Sequence, residues 1–179
     1  MVEEKKENPM MQIVLDKVTL NIGIGASEDR YENASAILQR LTNHKPTMAK
    51  AKARKPEFGI KKDQVIGAYV TLRKKDAEEM LKEAFDAVDN KIKRSAIAGN
   101  SINFGVNEYI YFSGIKYDPK IGMLGLNINA TFTRKGKRVE ERRRKRGKMS
   151  NRHKTIKPEE LEKYISQKYG VKIIEEEQA

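Results

Sequence analysis

The chain has 179 residues, a net charge of +12 and no cysteine. This composition suits one domain with extensions and excludes disulfide-stapled folds and thiolate zinc sites. A charged N-terminus and the lack of an apolar run of about 20 residues argue against a signal peptide and a membrane span, so a soluble cytoplasmic protein is expected. A basic protein of this kind attracts polyanions, with nucleic acid as the first candidate.

Four segments alternate apolar and polar residues, which predicts β-strands. They are VTLNIGIG from Val18, VIGAYVTLR from Val65, INFGVNEYIYF from Ile102 and LGLNINATFT from Leu124. The apolar sets predict one buried sheet face, and the opposite face carries Asn, Thr, Gly and Tyr. Such a surface can lie close to an RNA backbone, although a solvated sheet face accounts for the same alternation.

Two segments between these strands have the period of amphipathic helices. The stronger pattern extends from Asp76 to Ile92, with Asp76 as the predicted N-cap and Glu79 completing a capping box. The shorter one is expected to begin near Ser27 or Asp29. These two helices are predicted to cover the apolar face of the sheet.

A third helix is predicted after Pro158, to end at Gly170. The order of elements predicts an α+β fold with a largely antiparallel sheet, helices on one face, a basic extension and a short C-terminal helix. The chain is expected to have an N-terminal tail (residues 1–11) followed by one RNA-binding domain (12–133). An Arg/Lys-rich extension (134–157) and a helix with an acidic tail (158–179) complete it.

Sequence motifs for small-molecule chemistry are weak. Gly23 and Gly25 begin the dinucleotide pattern G-x-G-x-x-G, but Glu28 stands where the third glycine belongs and would bring a carboxylate to the pyrophosphate. No phosphate-binding loop or nucleophile elbow occurs, and neither His44 nor His153 has a second ligand at metal spacing. We therefore expect no enzyme activity, no cofactor and no metal site.

The basic charge is concentrated in two segments. Residues 134–157 hold 13 of the 37 Lys and Arg with two acidic residues, and residues 45–62 hold seven with Glu57 alone. The run RRRKR lacks helical periodicity and is expected to be extended and mobile. Arginine forks bind phosphates and stack on bases, which favours RNA, with a nuclear-localisation or heparin-type patch as the alternative.

The segment 45–62 is predicted to be a long basic loop. Its prolines and Gly59 argue against a continuous helix, and a long basic loop in a compact domain is usually functional. A solvated, disordered loop is the alternative.

The segments KVTLNIGIG, KPTMAKAKARKPEFGIKK, IGAYVTLR, GVNEYIYF and GLNI, in this order, resemble the universal ribosomal protein family that binds 5S ribosomal RNA (5S rRNA), conventionally the fifth protein of the large subunit. The extension RRRKRGKMSNRHK and the later KYGVKI resemble the archaeal branch. The resemblance implies a protein of the ribosome's central protuberance, with 5S rRNA, large-subunit rRNA, peptidyl-site (P-site) tRNA, neighbouring ribosomal proteins and one small-subunit protein as partners, and no membrane partner.

The resemblance also implies site residues. Those expected to bind rRNA are Asn21, His44, Lys45, Thr71, Arg73, Arg142, Arg143, Arg144 and Arg146. Those expected to approach P-site tRNA are Lys50, Lys52, Arg54 and Lys55. His44 departs from the glutamine that relatives commonly carry, so its role depends on its tautomer and charge. A free-standing RNA chaperone or regulatory RNA-binding protein is the alternative function.

Overall fold

The computed structural model describes residues 8–25 and 30–174. Its strands are β1 (Ile13–Gly23), β2 (Thr47–Lys50), β3 (Val65–Leu72), β4 (Lys91–Lys93), β5 (Ile97–Ala98), β6 (Ser101–Val106), β7 (Leu126–Arg134) and β8 (Lys172–Ile174). Six of them form a sheet in the order β2-β3-β1-β7-β6-β5, in which all neighbours are antiparallel. The other two, β4 and β8, form a parallel pair.

The helices are α1 (Arg30–Thr42), α2 (Lys74–Asp86), α3 (Arg138–Glu141), α4 (Asn151–Lys154) and α5 (Pro158–Tyr169). Against the sheet, α1 packs on β3 and α2 on β1. From α5, the Tyr164 ring meets Phe132 of β7 edge-on. These contacts confirm the predicted α+β fold and add a third helix to the covered face. Within the described ranges, no helix has the length and hydropathy needed to cross a bilayer.

One sheet face is buried because every second residue of its central strands is apolar. The members of this face with at most 1% exposure in β1 and β7 are Val18, Leu20, Ile22, Leu126, Ile128, Ala130 and Phe132. Burying each large side chain contributes about 1.5–3 kcal/mol. Ile156, Leu161 and Ile165 belong to the same core cluster, so the C-terminal segment is packed into it.

The predicted start and end of α2 are wrong. The helix begins at Lys74, and its N-cap residue, Arg73, makes no side-chain cap. Asp76 therefore lies inside the first turn and caps nothing. The helix ends at Asp86 because Asp89 and Asn90 adopt left-handed backbone conformations, which Asp and Asn tolerate better than most residues.

Other boundaries differ where local patterns are ambiguous. Ile92 continues the apolar period of the predicted helix, yet it belongs to strand β4, and its side chain is buried there. The predicted strand from Ile102 ends at Val106, and residues 109–111 form a short 3-10 helix. The third helix is confirmed, including its end at Gly170, which adopts the left-handed conformation. The predicted start of α1 at Ser27 or Asp29 lies outside the described residues.

Candidate RNA interface

The uncovered side of the sheet is a continuous polar surface. We call it the polar sheet face and define it by seven half-buried or exposed residues: Thr19, Asn21, Tyr69, Thr71, Asn103, Asn127 and Asn129. Strand register aligns them in rows, with Asn21 between Tyr69 and Asn127. In the next row Thr19 lies between Thr71 and Asn129. The face therefore presents amide and hydroxyl groups from four adjacent strands.

Part of this surface is internally hydrogen bonded. The hydroxyls of Thr19 and Thr71 are 3.4 Å apart, and the Asn129 amide donates to Asn103 Oδ1 at 3.0 Å. Among the described residues, the side chain of Asn21 has no hydrogen-bond partner. A ligand on this face thus meets donors and acceptors held in a fixed arrangement, with the Asn21 amide available.

The two glycines of the dinucleotide-like pattern have separate roles. Gly23 opens onto solvent, since a Cβ added there would have no other atom within 4 Å, while Gly25 turns the chain with φ +66. The strand they end, β1, pairs antiparallel with β3, whereas a dinucleotide-binding unit requires parallel strands. Glu28 lies outside the described residues. The topology alone therefore argues against a dinucleotide site.

His44 and Lys45 lie in the turn between α1 and β2, the strand that pairs with β3. The His44 Nε2 atom is 3.4 Å from Asp76 Oδ2 in α2. Asp76, Glu79 and Glu83 line the adjoining cleft of about 430 Å³. Burial, reinforced by its acidic neighbours, raises the pKa of Glu83. His44 lines this cleft together with Leu72, the residue that follows Thr71 in β3, and the role of His44 in binding rRNA stays a prediction.

The segment predicted to be a basic loop is a hairpin, because its first part forms strand β2 on the edge of the sheet. In this basic hairpin, residues 50–65, Lys55 and Ile60 exchange backbone hydrogen bonds of 2.9 and 3.1 Å. Phe58 lies at its tip and is 68% exposed. The four cations expected to approach tRNA, Lys50, Lys52, Arg54 and Lys55, are all exposed, as are Lys61 and Lys62. The disordered-loop alternative is therefore wrong for these residues.

The arginine-rich segment is also folded, contrary to the extended conformation predicted. We call residues 138–154 the arginine loop. It begins with helix α3 and ends with helix α4. The Gly147 amide donates to the Val139 carbonyl at 3.0 Å, and Glu140 accepts from the Met149 amide and the Lys154 ammonium at 3.2 and 3.1 Å. These bonds, the Lys154 one foremost, lower the pKa of Glu140.

The arginine loop is anchored to the sheet by Asn100. Its amide donates to the Lys154 carbonyl at 2.8 Å, and its oxygen accepts from the Ile156 amide at 2.9 Å. At the opposite end of the loop four exposed guanidinium groups project into solvent: Arg142, Arg143, Arg144 and Arg146. Closure at the base thus concentrates the four charges in one turn.

Arg73, expected to bind rRNA, is already in an ion pair. Its Nη1 atom is 3.2 Å from Asp16 Oδ1, and its side chain remains 57% exposed. The exposed donors of the fork can still reach a phosphate.

Comparison with known proteins decides the family. The family model for the C-terminus of ribosomal L5 proteins matches residues 65–161, and that of ribosomal protein L5 matches residues 8–61. The chain belongs to the ribosomal protein L5 family. It is 41% identical to large ribosomal subunit protein uL5 of Sulfurisphaera tokodaii over 98% of this chain and 99% of the relative. It is 45% identical to the protein of that name from Nanoarchaeum equitans, over 94% and 99%, respectively.

Membership confirms the archaeal uL5 resemblance drawn from the sequence. The uL5 family consists of structural ribosomal proteins rather than enzymes, and its members work in translation, in the ribosomes of the cytoplasm. The alternation in the sequence indicated that Asn103, Asn127 and Asn129 point away from the core, but they were not chosen as site residues. Only the register of β6 and β7 aligns them with Asn21 and Thr71.

Proposed function

We propose that this uL5-family chain binds 5S rRNA through the polar sheet face and anchors it in the central protuberance of the large subunit. The observation that carries the proposal is the row arrangement of Asn and Thr side chains on four strands. RNA backbones and minor grooves offer 2′-hydroxyl and phosphate groups, which need donors and acceptors held close to a flat surface. Gly23 and Gly105 are both exposed and have no side chain, so an RNA backbone can approach the sheet closely at these positions.

The decisive experiment removes two groups of the polar sheet face. Asn21→Ala combined with Thr71→Ala is expected to weaken 5S rRNA binding roughly 30-fold, at about 1 kcal/mol for each lost hydrogen bond. Filter binding measures the affinity, and thermal unfolding checks that the fold is kept. The matched control replaces two exposed helix amides, Gln39→Ala with Gln167→Ala. Equal affinity of the two variants would refute the proposed interface.

The basic hairpin is proposed to approach P-site tRNA. Its cations extend beyond the sheet edge on a framework held by paired backbone bonds, which is how a loop presents charge to a phosphate backbone. The arginine loop is proposed to bind large-subunit rRNA. Neighbouring ribosomal proteins and one small-subunit protein complete the proposed set of partners.

Replacing Lys50, Lys52 and Arg54 by glutamine is expected to leave 5S rRNA affinity within about twofold and to lower retention of P-site tRNA. The physical reason is that these three cations lie at and beyond the end of β2, outside the rows of the polar sheet face. Nitrocellulose retention of tRNA on salt-washed ribosomes measures the effect. Lost 5S rRNA binding with normal tRNA retention would reverse the assignment.

A free-standing RNA chaperone or regulatory RNA-binding protein is the alternative function, and membership in a ribosomal protein family favours the structural role. The two are separated by sedimentation of the native protein. A structural component stays with large subunits through a high-salt wash, whereas a transient chaperone is released.

A further inference from the structure

A cleft at one end of the polar sheet face has no role in the function proposed so far. Seven cationic side chains line it, and we call it the cation cleft: Arg73, Lys74, Lys75, Arg134, Lys135, Lys137 and Arg138. Asp16 and Glu78 are the acidic residues in its lining, and its volume is about 600 Å³. The lining thus has a large excess of positive charge.

The cleft is organised by a β-bulge in β1. The register with β7 shifts between Leu15 and Lys17, so Asp16 is the extra residue. Bulges re-aim a side chain at functional sites. Here the Asp16 carboxylate accepts from Arg73 at 3.2 Å and from Lys137 at 2.7 Å, which holds cations from the end of β3 and from the segment before α3 side by side.

Three cations of the cleft have no side-chain partner, whereas Arg134 pairs with Glu160 and the Lys135 ammonium donates to Gln12 Oε1. Among the described residues, Lys74, Lys75 and Arg138 form no side-chain hydrogen bond or ion pair. Of the two acids in the lining, Asp16 is shared by two cations, and Glu78 binds Lys168 of α5 at 2.7 Å. Lys137 also pairs with Glu141 at 2.9 Å, so the internal contacts leave the charges of Lys74, Lys75 and Arg138 uncompensated.

The start of α2 adds positive charge to the cleft in an arrangement that destabilises the helix. Lys74 adopts φ +59, a conformation that a lysine rarely takes, and Lys75 follows it in the first helical turn. Positive charge at a helix N-terminus opposes the helix dipole. A bound anion would relieve this repulsion and would also accept hydrogen bonds from the free amide groups of the first turn.

The position of the cleft indicates which anion it holds. Val14 and Thr133 line it and pair with each other in the sheet, beyond the rows of the polar sheet face. Thr19 is five residues from Val14, or about 17 Å along the strand. A ligand that contacts both surfaces must be an extended polyanion. No aromatic residue is among the described residues of the lining, so an acidic peptide would find no anchoring pocket.

We propose that the cation cleft binds the phosphate backbone of the 5S rRNA that continues from the polar sheet face. This inference rests on the proposed function and adds a second set of contacts to it. Asp16 acts as a positioning residue, because it orients Arg73 and Lys137 without contacting the RNA.

Photocrosslinking tests the contact in assembled large subunits. A photoreactive phenylalanine analogue replaces Val14, which is 38% exposed at the cleft. Crosslinks from this position to ribosomal RNA are expected. Crosslinks only to protein, or none, would overturn the proposal.

Charge removal provides the second test. The cleft variant combines Lys74→Asn, Lys75→Gln and Arg138→Gln, with asparagine chosen because it tolerates the left-handed backbone. The control variant combines Lys82→Gln, Lys116→Gln and Lys172→Gln, all exposed elsewhere. Against 5S rRNA, the cleft variant is expected to flatten the slope of log affinity against log salt by about 2 relative to the control.

The two levels of the proposal fail differently. If the cleft variant matches the control with 5S rRNA while the Asn21/Thr71 variant loses 5S rRNA, the cleft inference is wrong and the proposed function stands. If the unaltered chain does not bind 5S rRNA, the proposed function is wrong as well.

Discussion

With Arg142, Arg143, Arg144 and Arg146 all replaced by glutamine, the slope of log affinity for large-subunit rRNA against log salt is expected to flatten by about 3. Each neutralised phosphate contributes about 0.7 to 0.9 to that slope. The closed base of the arginine loop holds the four guanidinium groups within one turn, so all of them can meet the same stretch of backbone. Filter binding across a salt series measures the slope.

The matched control replaces the same four arginines by lysine. It keeps the charge and removes the planar fork that binds phosphate with two bonds. The slope should then be kept, while affinity falls at every salt concentration. An unchanged slope in the glutamine variant would show that the loop binds no phosphate.

Leu161→Ala is expected to lower the free energy of unfolding by about 2 to 5 kcal/mol, because it opens a cavity in a fully buried site. Leu161 has no exposed surface and lies in the core cluster. For a chain of this size the loss corresponds to a melting temperature lower by about 10 °C.

Lys163→Ala, on the exposed side of the same helix, serves as the control. It should change the melting temperature little, since exposed substitutions rarely cost more than about 0.5 kcal/mol. A loss below about 1 kcal/mol in the leucine variant would show that α5 contributes little to the core.

The long strands were predictable because the alternation of apolar and polar residues that marks them depends only on residues close together in sequence. A period of two with one apolar face allows a single orientation, and Asn21 and Thr71 were placed on the polar side on that basis. The neighbours of each strand were not predictable. Pairing of β1 with both β3 and β7 depends on contacts far apart in sequence, and only that pairing assembles the rows of the polar sheet face.

The errors also have physical causes. Composition alone predicts an extended arginine segment, whereas Asn100, more than 50 residues from its partner Lys154, anchors the loop. The α2 boundary was missed because Asp76 has the right spacing for a capping box, but the chain enters the helix earlier through Lys74.

The sheet ends in two short edge strands, the four-residue β2 and the two-residue β5. Edge strands expose unpaired backbone groups that can recruit another chain, and lysines on or beside the edge discourage this. Lys50 ends β2, and the hairpin cations follow it. A ribosomal protein must pass through the cell unassembled, so the charges proposed to meet RNA also keep free copies of the chain from joining sheet to sheet.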